Sequence, residues 1–227
     1  MSHRILLAAA VLLLGAGCAA HRSAAVSDLD LARIPPDAMG PVNAQRAAVA
    51  EAQDEVARKD LAFQSAGREL RLAEQEVFAA EAEIARAQQA SDNATFNRDA
   101  AAKERARQEV LAGHARLAAA KAHVRAAETQ GDLADALRWE ARERVDLRLA
   151  ELEWAKYQAL LSAREPAARD VKTAPLLDRL KDERDDVEHA TTRTAKLREE
   201  LRRDQQAYQA NLQRYENLRG VGGAGRR

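Results

Sequence analysis

A seven-residue repeat governs the chain between residues 42 and 87. A large apolar side chain recurs at every seventh position, and alanine follows three positions later in most repeats. The large positions are Val42, Val49, Val56, Phe63, Leu70, Val77 and Ile84, and the small ones are Ala52, Ala66, Ala73, Ala80 and Ala87, with Lys59 as the exception. Such a repeat keeps one stripe of an α-helix turned towards a partner helix and imposes a left-handed supercoil. Alanine on that stripe lets two backbones approach closely, which favours tight antiparallel helix pairs.

The repeat continues less regularly towards the C-terminus. Further rows contain Phe96, Val110, Leu117 and Val124, and then Leu180, Val187, Thr194, Leu201, Tyr208 and Tyr215. Aromatic residues make up 4% of the chain and charged residues 32%, a balance typical of long helices and coiled coils. The sequence therefore predicts an all-α fold of long antiparallel coiled-coil helices over residues 42–219, arranged as a hairpin or as an elongated bundle of three or four helices.

Turn-forming residues predict two breaks in this helical region. Gly131 suits the left-handed residue that ends a helix and Asp132 suits the N-cap of the next, so one boundary is expected at 129–132. Proline is unfavourable in a helix interior, so Pro166 and Pro175 predict a second break at 165–175, with Pro175 in the first turn of the last helix.

A third segment, the polar run 91–95, leaves two alternatives open. The chain either reverses there, within residues 91–97, or continues as one long helix. With a boundary at Gly131, residues 42–128 and 132–219 form two nearly equal arms, and the glycine-rich residues 220–227 form a flexible tail.

The N-terminus has the three parts of a signal peptide. Met1–Arg4 is short and positive, Ile5–Leu14 is apolar, and Gly15–Gly17 supplies small residues before a cleavage site. The apolar stretch is ten residues long, whereas a membrane-spanning helix needs about 20. Residues 1–17 are therefore interpreted as a signal peptide that is removed on export.

Cys18, the only cysteine in the chain, follows directly, and this order resembles the lipobox of bacterial lipoproteins. The resemblance implies a diacylglyceryl group on its thiol, cleavage before it, and an amino terminus acylated with a fatty acid such as palmitate. Gly15 stands where the family usually has leucine, with Leu14 one place earlier. Ordinary cleavage after Ala20, which gives a soluble product, is the alternative. Ala19, rather than aspartate, follows the cysteine, which by enterobacterial-type sorting implies the outer membrane, facing the periplasm.

Residues 18–41 are predicted to form a flexible tether between lipid and helices. Pro35–Pro36 and Gly40–Pro41 punctuate the segment and keep it extended. An alternative is a short element that docks back on the helices through its apolar residues, which are Val26, Leu29, Leu31 and Ile34.

Residue types that carry chemistry are sparse. The net charge is zero, with 36 basic and 36 acidic residues, which argues against a nucleic-acid partner. No metal-binding or catalytic motif and no phosphate-binding loop is found, so we expect no enzyme activity, no small-molecule substrate, and no cofactor besides the lipid on Cys18. Trp139, Tyr208 and Tyr215 are candidate partner-binding residues, although each also suits ordinary packing between helices.

These features favour a non-enzymatic envelope lipoprotein that acts as a helical scaffold or spacer in the periplasm. Its partners would be the membrane, through the lipid, and a second copy or another envelope protein, through helical surfaces. The plan of a lipobox followed by heptads resembles the major murein lipoprotein of the outer membrane, but that family ends in lysine and this chain ends in Arg227. The alternative is an accessory subunit of a transport or secretion complex that docks through its helical hairpin, as the adaptors of tripartite efflux systems do.

Replacing Cys18 by serine tests the lipid anchor. The Cys18→Ser protein lacks the thiol that receives the diacylglyceryl group, so we expect it to leave the membrane fraction as a soluble or unprocessed form. Cell fractionation with detection of both forms measures this. Membrane association that survives the substitution and detergent-free washing contradicts the anchor.

Overall fold

Long helices account for nearly all of the computed structural model, which describes residues 26–223, with side chains up to residue 220. The helices are α1 (Asp28–Leu31), α2 (Gly40–Phe96), α3 (Ala100–Ser162) and α4 (Thr173–Gly223), with short 3-10 helices at Pro36–Met39 and Pro166–Arg169. None of the helices in this range is long and apolar enough to cross a membrane. The predicted all-α fold of long, mutually packed helices is confirmed.

The α2–α3 pair is antiparallel and is joined along the predicted alanine stripe. Ala73 and Ala80 of α2 are completely buried, whereas Leu70 and Val77 of the large row are only partly buried. The small residues therefore lie at the centre of the seam and the large ones along its edge. Helix backbones approach most closely at small residues, which moves larger neighbours outward.

The two helices approach very closely at Gly113 on α3. A Cβ atom built there would lie 2.8 Å from Cγ1 of Ile84 on α2. That separation is well below normal van der Waals contact between carbon atoms. The glycine is thus required by the packing of Ile84, which is itself buried.

Helix α3 lies between α2 and α4 and packs against both. Its buried small residues form two rows, Ala106–Gly113–Ala120–Ala127 towards α2 and Ala115–Ala122–Thr129–Ala136 towards α4. The rows are offset by two residues, which is about 200° around a helix, so the two partners lie on nearly opposite sides of α3. Among the described residues, α2 and α4 have at most marginal direct contact. The three helices thus form one layer.

Polar contacts fix α4 against α3. Glu140 is buried, and its carboxylate accepts hydrogen bonds from Oγ1 of Thr194 at 2.8 Å and from the guanidinium of Arg144. Oγ1 of Thr129 donates to Asp204 at 2.7 Å. Because a buried carboxylate without partners is costly, these bonds also set the register of the two helices.

The chain reverses between α2 and α3 at Asn97–Asp99, which resolves the alternatives left open for residues 91–97 in favour of a turn. Helix α2 includes the polar run 91–95 and ends at Phe96. Arg98 takes a left-handed conformation with φ of 56°, and the side chain of Asp99 accepts a hydrogen bond from the backbone N–H of Ala102 at 2.8 Å. The aspartate therefore caps α3.

The boundary expected at 129–132 is wrong, because α3 continues through Gly131 without interruption. A helical glycine costs about 1 kcal/mol relative to alanine. Burial of neighbours such as Ala127, Leu133 and Ala134 against two partner helices outweighs that cost. Asp132 is exposed and caps nothing, and the two equal arms are replaced by helices of 57, 63 and 51 residues.

The later boundaries agree better with the sequence. Helix α3 ends at Ser162, three residues before the break expected at 165–175. Helix α4 begins within that range, at Thr173, and Pro175 is its third residue. Helix α4 continues to Gly223, so residues 220–223 are helical rather than part of the flexible tail predicted for 220–227. Residues 224–227 lie outside the described range.

The flexible tether predicted for 18–41 is also wrong where the structure describes it. Val26, Leu31 and Ile34 are buried against Val42 at the start of α2 and Leu160 near the end of α3. The alternative, a short element docked on the helices, is therefore the correct one for residues 26–39. Apolar burial holds the segment in place, and Leu29, which is 81% exposed, is the one member of the apolar set that does not take part.

Two matched alanine substitutions test the seam. Ala73→Asp places a charge at a completely buried position, so we expect a loss of at least about 2 kcal/mol in the free energy of unfolding. Ala79→Asp makes the same change at an exposed position of α2 and should cost less than about 1 kcal/mol, mainly through helix propensity. Urea denaturation followed by circular dichroism compares them. Equal losses would mean that this stripe is not buried.

Candidate functional site

A buried polar network fastens the N-terminal segment to α3. The backbone N–H of Val26 donates to Oε2 of Glu153 at 3.2 Å, and Nζ of Lys156 donates to Oε1 of the same carboxylate at 3.0 Å. Lys156 also lies 3.3 Å from Oδ1 of Asp28, whose carboxylate lies 3.6 Å from Arg46 on α2. These five residues, called here the N-terminal clamp, connect the segment to both neighbouring helices.

Two charged residues of the clamp are buried, whereas Asp28 and Arg46 are exposed. Glu153 is 8% exposed and Lys156 is 6% exposed. Removing either partner would leave the other buried charge with only Asp28 or the backbone N–H of Val26 to compensate it, which costs more than an exposed ion pair contributes. Each charged group of the clamp is engaged by another, so the network holds the segment in position and offers no free nucleophile or base. From the sequence alone, Glu153 and Lys156 resemble an ordinary exposed i,i+3 pair, and the covering segment is what buries them.

The clamp lies at one end of the molecule. The start of α2, the end of α3 and the start of α4 all meet there, because the three long helices alternate in direction. Val26 is eight residues beyond Cys18, which itself lies outside the described residues. The chain that leads from Cys18 therefore joins the structure at this end.

The opposite end carries the α2–α3 turn. Phe96, the last residue of α2, is 89% exposed at its tip. Beside it is a shallow groove between the two helices, lined by Gln88, Ser91, Asp92, Arg107, Val110 and Leu111. Leu111 is 54% exposed. The tip thus presents apolar side chains that nothing within residues 26–220 covers.

A third cluster lies halfway along the rod, where α4 approaches α2 across α3. The ring of His123 on α3 stacks on Tyr208 of α4 with centroids 4.6 Å apart. Its Nδ1 lies 2.9 Å from Glu76 and its Nε2 lies 3.5 Å from Glu69, both on α2. Burial, together with the charges of Glu76 and Glu69, raises the pKa of Tyr208. The cluster links all three helices.

The candidate partner-binding residues fall in different places. Tyr208 packs within the His123 cluster, and Tyr215 lies one heptad further along α4, partly buried, with the guanidinium of Arg219 5.9 Å from its ring centroid. Trp139 is 37% exposed on α3, with Arg193 6.0 Å from its ring centroid. The structure therefore does not bring the three together into one site.

Acidic side chains of α3 and α4 form the one group in residues 26–220 whose geometry could admit a cation. Carboxylate oxygens of Glu143, Asp146 and Glu183 lie within 4.8 Å of one another. Glu183 is also 3.5 Å from Arg179, which compensates part of the charge. Burial first, and then the charges of Asp186, Asp146 and Glu183, raise the pKa of Glu143. The i,i+3 spacing of Glu143 and Asp146 is visible in the sequence, but the α4 contribution is not.

Comparisons with known protein families, characterised proteins and solved structures find no match to this chain.

The burial of Glu143 and the negative charges around it predict a pH-dependent stability. Because its pKa is raised in the folded protein, the stability that this group contributes is complete below the ordinary value of 4.5 and is lost as the pH rises through the raised value. Glu143→Gln should therefore stabilise the protein at pH 7, by less than about 1 kcal/mol because the group is partly exposed. The gain should vanish below pH 4.5.

Thermal unfolding between pH 4 and pH 8 measures the difference, with Glu109→Gln, at an exposed position of the same helix, as the control. A Glu143→Gln protein that is less stable than wild type at pH 7 would show that the carboxylate is favourable there.

Proposed function

We propose that the chain is a non-enzymatic envelope lipoprotein that stands as a helical spacer in the periplasm, held at one end by a lipid on Cys18. The observation that carries the proposal is the N-terminal clamp. It fixes the backbone from Val26 onwards to the end of the rod, which shortens the connection between Cys18 and the helices to residues 19–25.

The dimensions support a spacer. Eight residues separate Cys18 from Val26, and a fully extended chain of that length spans at most about 29 Å. Helix α2 has 57 residues and α3 has 63, which correspond to about 85 and 95 Å. With the clamped end near the lipid surface, the α2–α3 turn projects by most of that length.

A second function is favoured by the exposed side chains at the tip. Phe96 and Leu111 are large apolar residues at the end of the hairpin furthest from the clamp. An accessory subunit that docks through its hairpin would present such residues to a channel or another envelope protein. The spacer and docking functions share the upright orientation and differ in whether the tip engages a partner.

Distances from the membrane test the orientation. Lipidation occupies the only cysteine, so a cysteine introduced at Asn97 or Arg164 provides a single labelling site at the tip or near the clamp. In lipidated protein reconstituted into vesicles with acceptor-labelled lipids, we expect efficient energy transfer from position 164 and almost none from position 97.

Two substitutions within the N-terminal segment serve as the matched pair. Leu31→Asp removes a buried side chain that docks the segment and should increase energy transfer from position 97, because the rod can then tilt. Leu29→Asp changes a residue that is 81% exposed and should leave the transfer unchanged. Strong transfer from position 97 in the otherwise unsubstituted protein would refute the upright spacer.

A further inference from the structure

One face of the α2–α3 pair is left uncovered along most of its length. It lies opposite the side on which His123 meets Tyr208, and it is marked by Asp60 of α2, whose carboxylate lies 3.7 Å from Arg138 and 3.8 Å from Arg142 of α3. This surface is called here the open face. The N-terminal segment covers its clamped end, which is why Val42 is completely buried.

Large apolar side chains project from the open face. Phe78 follows Asp60 by 18 residues, which is about five helical turns, and is 70% exposed. Trp139 precedes Arg142 by three residues, and Leu111 precedes Trp139 by four heptads. Leu111 is 54% exposed and Trp139 37% exposed, so both helices contribute to the apolar surface.

Small residues lie level with these large ones on the other helix. Ile84 contacts Gly113, which places Phe78 within one residue of the level of Ala118, and Leu111 within one residue of the level of Ala85. Ala85 and Ala118 are both exposed. At these two levels, the open face thus has a large apolar side chain on one helix and an alanine on the other.

Around Lys121 the two helices carry opposite charges, although the same α3 row also contains Glu128 and Asp135 nearer Arg142. On α2, Glu74 and Glu81 follow Asp60 by two and three heptads and therefore belong to the open face. On α3, Lys121 precedes Arg142 by three heptads and belongs to it for the same reason. Each is exposed, and none forms an ion pair with another residue in the described range. Lys121 lies level with the stretch between the two glutamates. The α2 edge is therefore acidic where the α3 edge is basic.

We propose that a second copy of this chain covers the open face, with a twofold axis parallel to the helices. That rotation places α2 of each copy on α3 of the other at the same level. Phe78 then meets Ala118 of the other copy, Leu111 meets Ala85, and the pair Glu74 and Glu81 meets Lys121. A twofold axis across the helices would instead bring α2 onto α2 and oppose the two acidic edges.

The parallel arrangement keeps both clamped ends at the same end of the dimer. Two lipid anchors would then enter one membrane and hold the assembly more firmly than one. The dimer itself rests on the described helices and does not depend on the proposed function, since the same surfaces would pair without lipid.

Charge reversal tests both the contact and its direction. Two differently tagged full-length copies are co-expressed, extracted from whole cells with detergent, and recovered through one tag. In the parallel dimer, Lys121→Glu places a negative charge against Glu74 and Glu81 of the other copy at two symmetric sites, so recovery of the second tag should fall at least about tenfold. The double variant Glu74→Lys with Glu81→Lys should fail equally. Co-expression of one variant with the other should restore recovery, because the copies then offer opposite charges to each other.

An apolar pair controls for effects on the fold. Phe78→Ser removes a side chain that is 70% exposed in the single chain and should reduce recovery about tenfold. Leu72→Ser changes a side chain that is 55% exposed on the other side of α2 and should not. Circular dichroism of each variant checks that the helices are intact. The proposal is overturned if wild-type copies do not co-purify, if Lys121→Glu alone has no effect, or if the mixed pair of variants fails to co-purify. The energy-transfer measurement from position 97 tests the proposed function separately.

Discussion

The close approach of α2, α3 and α4 at small residues is the constraint on which the rest of the structure depends. A seam of alanine and glycine contributes little apolar area per residue, so stability must accumulate over many turns, and the helices are long for that reason. Gly113 against Ile84 shows how near the backbones come. The same closeness moves the large residues of the repeat to the edge, where Leu70 and Val77 are only partly buried.

The N-terminal segment modifies this plan at one end only. The segment covers Val42 and Leu160 at this end. Glu153 and Lys156 would otherwise lie on a solvated helix face, but here they form a buried network with the backbone of Val26. Burial makes such a network sensitive to the loss of any partner. One end of the rod therefore has a fixed chain entry, and the other has a simple turn with an exposed Phe96. The two ends of the rod are therefore structurally different.

The sequence predicts the fold class and the α2 stripe because a heptad repeat depends only on local periodicity. It does not reveal that α3 has two buried faces. The rows through Ala120 and Ala122 are both rich in alanine, and only the positions of α2 and α4 distinguish them. Gly131 wrongly predicts a helix end for the same reason, since local propensity ignores packing on both sides. The clamp and the open face cannot be found in the sequence either, because each depends on which residues lie level across different helices.

The central claim is that the clamp holds the rod upright on a lipid-anchored end. Neutron reflectometry of the lipidated protein on a supported bilayer measures the thickness of the protein layer directly. The account predicts a layer of about 80–95 Å, close to the length of α2 and α3. A layer of about 10–25 Å, the thickness of one or two helices, would contradict it, because the rod would then lie flat on the membrane.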